Sequence, residues 1–201
     1  MRAFLGMGSP RSPIYTLPYK SGSVALYTQP YIDPKVTMSR TENPERGEIL
    51  GAVGVDAAGV DVRNRSSLDA DYIDHYELTT PIGAAPQDYA RAMFGDVPTP
   101  GERFIWTGLL HITLSRGTSP DTIAGWRLAE ETADWVRMEA RSWFLTAHLV
   151  VRAVGDRLSL TTYIRYDRIV GRLAWTTLSG VHRSLVPGLL RDAARRVAQR
   201  A

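Results

Sequence analysis

Residues 163–196 read YIRYDRIVGRLAWTTLSGVHRSLVPGLLRDAARR, and their period changes partway. Up to Tyr166 the pattern alternates. Ile164 and Tyr166 fall on one side, Tyr163 and Arg165 on the other, as in a strand with one buried face. From Trp175 onward apolar side chains recur at steps of three and four, through Leu178, Leu185 and Leu189, and draw one stripe along a helix. A single polar residue, His182, interrupts that stripe. Pro187 removes a backbone donor, which predicts a kink or split near Val186. A strand running directly into a long amphipathic helix decides the architecture. A sheet with one apolar face needs a cover, and the last helix supplies it.

The segments upstream fill in that sheet. RLSLTTYIRYD (157–167) turns Leu158, Leu160, Thr162, Ile164 and Tyr166 inward. GD at 155–156 is a hairpin signal. SWFLTAHLVVR (142–152) puts Trp143, Leu145, Ala147, Leu149 and Val151 on one apolar face. DWVRMEA (134–140) turns Val136 and Met138 inward and Arg137 and Glu139 outward, and AGWRLAEET (124–132) places Trp126 and Leu128 together. Successive strands joined by short turns form an antiparallel meander. DYIDHYEL (71–78) is an earlier strand with Tyr72, Asp74, Tyr76 and Leu78 on one side. TTPIGAAPQDYARAMFG (79–95) is a turn and a short helix, with Pro86 in its first turn and Gly95 at its end. GERFIWTGLLHITL (101–114) fits helix or strand, and we read it as a second short helix. The predicted class is α+β: one strand, two short helices, an antiparallel sheet and a long C-terminal helix.

Residues 1–60 read differently. GSPRSPIYTLPYKSGS and SRTENPERGE are rich in Pro, Gly, Ser and charge, without periodicity. GEILGAVGVDAAGVDV (47–62) fits a short strand or no element. The expectation is a poorly ordered extension over 1–60 and a folded domain over 61–198. Met38 offers an alternative start.

Composition excludes several classes. The chain has 201 residues and no cysteine, so thiolate metal sites, disulfides and cysteine nucleophiles are absent. No apolar run approaches the ~20 residues that span a bilayer, and AFLGMG is shorter than a secretory h-region. A cytoplasmic location is the default expectation. The net charge is +3, with Lys20 and Lys35 the only lysines. The arginines are scattered among carboxylates, apart from a C-terminal group at Arg191, Arg195, Arg196 and Arg200. A solvated helix end explains that group through the macrodipole, so no nucleic-acid partner is expected. His75, His111, His148 and His182 are far apart and match no metal-ligand spacing, so neither metal nor cofactor is expected. No phosphate loop and no GxSxG are present.

The order of elements over 61–198 resembles the helix-grip fold of the START, plant-allergen and polyketide-cyclase (SRPBCC-type) superfamily. ADYIDHYEL, DYARAMFG, GW, SWFLTAHLVV, SLTTYIRYD and VHRSLVPGLLRDAAR, in that order, look like a bacterial domain-of-unknown-function family assigned to it. The resemblance implies a sheet wrapped around the last helix, with a cavity between them able to take an apolar ligand. It implies no established reaction, and it carries over no catalytic residue.

Period then sorts the candidate residues. Arg137, Glu139 and Arg165 alternate against the apolar residues of their strands and read as cross-strand ion pairs on the wet face. His148 shares their side and reads as outward. His182 and Asp74 fall on apolar faces, where an unpaired imidazole or carboxylate is costly. One reading has Asp74, a tyrosine hydroxyl and His182 meeting at one end of the cavity. The other has His182 bonding a backbone carbonyl or capping a groove edge. The expected ligand-facing set is Tyr76, Trp106, Met138, Trp143, Thr162, Tyr166, Trp175 and Leu178, beside His182. Three functions fit: a domain binding a small hydrophobic molecule; a cyclase-, dehydratase- or isomerase-type enzyme with His182 as general acid/base, Asp74 orienting it and Tyr72, Tyr76 or Tyr166 polarising a carbonyl; or an interaction module with a filled core.

Overall fold

The structure is a computed structural model that describes residues 47–56 and 58–200. Seven strands form one antiparallel sheet in the order β1-β2-β7-β6-β5-β4-β3. They are β1 (Ile49–Val53), β2 (Tyr72–Thr79), β3 (Thr122–Ile123), β4 (Trp126–Glu131), β5 (Trp135–Arg141), β6 (Leu145–Val154) and β7 (Arg157–Tyr166). A short α1 (Val60–Arg63) precedes β2. Between β2 and β3 run α2 (Pro86–Phe94) and α3 (Pro100–Arg103), the latter continued by a wider helical turn over Phe104–Leu109. The chain closes with α4 (Ile169–Ala198), 30 residues long. This is the α+β helix-grip arrangement: an antiparallel sheet, two short helices after β2, and a long last helix held on the sheet's inner face.

Local chemistry places these elements. The Asp88 carboxylate accepts from the Ala85 N–H at 3.2 Å at the start of α2, and Gly95 ends it at φ +72°. Thr99 and Glu102 bond reciprocally at the start of α3. The earlier strand β2 pairs with β7, the last strand of the meander, Asp74 lying opposite Thr162 in that ladder. The α4 helix packs on β7, β2 and α2, and Arg196 donates to the Ala92 carbonyl of α2 at 2.8 Å.

Several expectations are corrected here. Helix α4 is not split at Pro187 but continues through it. Its most buried residues are Gly171, Trp175, Ser179, Val186, Leu190, Ala193 and Val197. The stripe through Leu178, His182, Leu185 and Leu189 is thus the edge beside the packed face rather than its centre. Trp143 is 57% exposed. Strand β6 begins only at Leu145, because Ser142 Oγ accepts from the Phe144 and Leu145 N–H groups and makes 142–144 a turn. Phe144 takes the inward place instead.

The sheet's outer face is not simply wet. Residues 54–56 and 58–70 return across it, and Ala58, Ile73, Val150 and Tyr163 form a second apolar cluster there. The Tyr163 hydroxyl donates to the Val62 carbonyl. His148, read as outward, is buried under the same cover, with Nδ1 2.9 Å from Ser66 Oγ. The ionic ladder lies beside it: Arg127 faces Glu139 and Glu130 faces Arg137 across β4 and β5. Of the expected 1–60 extension, residues before Gly47 lie outside the described residues. The described part holds β1, whose five residues pair with β2.

Candidate functional site

Strand β2 carries Tyr72, Asp74 and Tyr76 on its inner face, and the β7 register sets Thr162 beside Asp74. Helix α4 crosses above and lowers His182 onto the pair. His182 Nε2 lies 3.1 Å from Asp74 Oδ2 and 3.0 Å from Thr162 Oγ1. The Tyr72 hydroxyl donates to the same Asp74 oxygen at 2.7 Å. Trp175, two turns before His182 on α4, closes the group: its ring centroid is 5.2 Å from the imidazole and 5.4 Å from the Tyr72 ring.

Burial gives this cluster its character. Asp74 is 0% exposed, and its Oδ1 has no hydrogen-bond partner among the described residues. A carboxylate in that position is costly unless paired, so the bonds from Tyr72 and His182 hold it in place. Burial is the main cause that pushes the Tyr72 hydroxyl above its ordinary range, and the Asp74 charge adds to it. Tyr72 therefore stays a proton donor to the carboxylate. His182 is partly exposed, and both of its described bonds use Nε2. Nδ1 makes no hydrogen bond among the described residues.

Next to the cluster is a cavity of about 400 Å3. Thr162, Trp175, Leu178 and His182 line one part of it, and Phe94, Ile105, Trp106 and Trp126 another. Ala147, Leu149, Leu160 and Ile164 of the sheet form the floor, while Val181, Leu185 and Leu189 of α4 form the opposite wall. Among the described residues three titratable side chains line it: His182, Glu102 and Asp192. Glu102 is bonded to Thr99 and Asp192 to Arg195.

Of the residues read from the sequence as ligand-facing, Trp106, Thr162, Trp175, Leu178 and His182 line the cavity. Asp74 touches it through His182. Four do not line it. Met138 is wholly buried in the core, Tyr76 packs against Gly51, and Tyr166 packs at the edge of the core. Trp143 lies outside, edge-to-face with Phe144, ring centroids 4.9 Å apart. The alternating pattern assigned these side chains a face, but a face is larger than the cavity on it. Trp126 and Val181 are among the lining residues outside the expected set. Trp126 was visible as an aromatic on an inward face, whereas Val181 lies one position from His182 and off the stripe. Among the described residues no cluster of metal-ligating side chains occurs.

The fold defines the class as helix-grip. No protein-family model matches the chain, and no curated protein sequence matches it. One solved structure resembles it, a STAR-related lipid transfer protein (fragment 25–204) from Xanthomonas axonopodis. The two share 14% identity over 79% of this chain and 98% of that one, with a TM-score of 0.31. No residue role is transferred from that likeness.

Proposed function

We propose that this chain binds a small, mainly apolar molecule in the cavity between sheet and α4. The observation that carries this reading is the cavity itself. About 400 Å3 of space walled by aromatic and aliphatic side chains lies within the ~300–1,000 Å3 range of small-molecule sites. Among the described residues no arginine or lysine lines it, so the enclosed part of the ligand carries no negative charge. Its polar end meets Thr162 and His182, the rest lying against Trp106, Trp126 and Leu149. A filled-core interaction module gains no support from a hollow of this size. The test is titration of the purified protein with the neutral probe N-phenyl-1-naphthylamine, alongside native mass spectrometry for a co-purifying molecule. Saturable one-to-one binding is expected, and its absence from the folded protein overturns the reading.

A second reading is favoured by one observation, the Asp74–His182 pair with Nδ1 unengaged. In it His182 is the general acid/base and Asp74 its orienting partner. Nδ1 takes a proton from carbon beside a ligand carbonyl and returns it elsewhere on the same molecule, an isomerisation without net redox change. The tyrosine part of the expectation gains no support. Tyr72 is committed to Asp74, and Tyr76 and Tyr166 are not among the lining residues. Solvent deuterium incorporation into a bound enolisable ketone, lost in His182→Ala, would separate this reading from simple binding.

A further inference from the structure

A second hollow lies beside the wall of the first. The helical stretch 100–109 gives Glu102, Ile105 and Trp106 to the cavity. It gives Arg103 and Thr107 to a separate groove of about 640 Å3. The segment that follows lines the groove with His111, Thr113, Ser115 and Arg116. Its backbone is pinned to three different places. The Ile112 N–H donates to the Trp106 carbonyl at 2.7 Å, Thr113 to Arg141 at 2.9 Å and Ser115 to Gly125 at 2.8 Å. His111, at the head of this segment, takes φ +50°. That left-handed conformation is costly for a residue with a Cβ and persists where its surroundings hold it, commonly at ligand sites.

The groove carries charge of one sign. Arg103 and Arg116 line it, with His111, and among the described residues no carboxylate does. The acids nearest in sequence are engaged elsewhere. Glu102 lines the cavity and bonds Thr99, and Asp96 pairs with Arg91. Among the described residues Arg103 and Arg116 make no ion pair and no hydrogen bond. The hydroxyls of Thr107, Thr113 and Ser115 are free in the same sense. This differs from α4, where Thr176 and Thr177 donate to carbonyls of their own helix at 2.7 and 3.0 Å. The His111 ring meets Phe144 edge-on, centroids 6.0 Å apart, and its nitrogens make no hydrogen bond among the described residues.

Donors without partners thus converge on one groove from two guanidinium groups, an imidazole and three hydroxyls. Two fixed positive charges match a phosphate monoester, which carries about two negative charges at neutral pH and three strong acceptor oxygens. Guanidinium groups bind such oxygens in pairs. A carboxylate, with one charge and two oxygens, would leave donors idle. The rest of the lining is apolar, from Val97, Pro98, Ile112 and Leu114, and it suits an organic group on the phosphate. We infer that this groove binds a soluble phosphate monoester with a small apolar group, its phosphoryl oxygens held by Arg103, Arg116 and His111. Neither arginine lines the cavity, so this site stands apart from the ligand-binding reading above.

The test is calorimetric titration of the full chain with phenyl phosphate, benzoate and benzyl alcohol. Saturable one-to-one binding is expected for phenyl phosphate, at least tenfold tighter than for benzoate, and none for benzyl alcohol. Arg103→Gln and Arg116→Gln should each weaken it at least tenfold. Both side chains are exposed, so the melting temperature should hold, and both variants should bind N-phenyl-1-naphthylamine as the parent does. No saturable binding of phenyl phosphate by the folded parent overturns the inference. So does binding that both variants retain, which places the ligand outside this groove. Benzoate binding as tightly as phenyl phosphate removes the phosphate assignment. A phosphoserine peptide that binds where phenyl phosphate does not gives the groove to a protein partner instead. The cavity probe and phenyl phosphate are read separately, so failure of either reading leaves the other standing.

Discussion

His182 Nε2 and the wholly buried Asp74 carboxylate are 3.1 Å apart and tie α4 to β2. Removing one partner of a buried pair leaves the other uncompensated, at a typical cost of about 3–5 kcal/mol. His182 is 24% exposed, so solvent screening brings the cost to the bottom of that range or just below it. His182→Ala is expected to cost about 2–3 kcal/mol in urea denaturation, and Asp74→Ala about the same. The double variant should cost clearly less than the sum of the two, because the second change removes a group the first had already stranded. Strict additivity would mean that the contact contributes nothing to stability.

Gly171 sits where the first turn of α4 meets the turn before β6. A Cβ built on it falls 2.3 Å from the Phe144 carbonyl oxygen, which is backbone and cannot swing aside. Gly171→Ala must push the helix start off the sheet, at about 1–3 kcal/mol as for other overpacking. Gly180 and Gly188 lie in the same helix with open space where their Cβ atoms would go. Alanine at either should stabilise by about 0.5–1 kcal/mol through helix propensity. Thermal melts of the three single variants check the opposite signs.

The two-residue period placed Asp74 and Thr162 on inward faces, and the helical period placed His182 above them. Those three positions were legible because each follows from a local rule. The phase of β6 was misread at its start. A Ser-initiated turn at 142–144 imitates a strand for two residues and puts Trp143 outside. The outer-face assignments failed for a different reason. His148 and Tyr163 alternate correctly with their neighbours, yet both are covered by residues 58–70. Whether the second face of a sheet meets water depends on a segment 82 residues from His148 and 101 from Tyr163 in the chain, and no pattern within β6 or β7 encodes it. The α4 stripe was found but read as the packing centre, since apolar spacing alone does not separate a wall of a hollow from a packed face.

Burial under that same segment pushes the His148 imidazole down to about 4, against the opposing pull of Glu139. The unfolded chain binds a proton at this site near the ordinary value of about 6.5, whereas the native state resists it. Stability from this group is therefore fully present above pH 6.5 and is lost as pH falls toward 4. His75 adds to the same trend, its imidazole also lowered by burial and bonded to Thr161 at 2.8 Å. The melting temperature should fall between pH 6.5 and 4, with less of a fall in His148→Gln, whose amide can still meet Ser66. An identical slope in the variant would remove His148 as the cause.

Ala147 sits in the floor of the cavity, near the start of β6 and opposite Ile164 of β7. Its methyl is the smallest side chain of that floor, so replacing it directs new atoms into the hollow rather than into the packed sheet. Ala147→Phe is expected to reduce N-phenyl-1-naphthylamine binding at least tenfold. The stability cost should stay within the about 1–3 kcal/mol of ordinary overpacking, because the ring has empty volume to enter. The ratio of the two effects is informative. A variant that folds and no longer binds supports occupancy of this hollow by the probe. A variant that binds as tightly as the parent puts the probe elsewhere on the molecule.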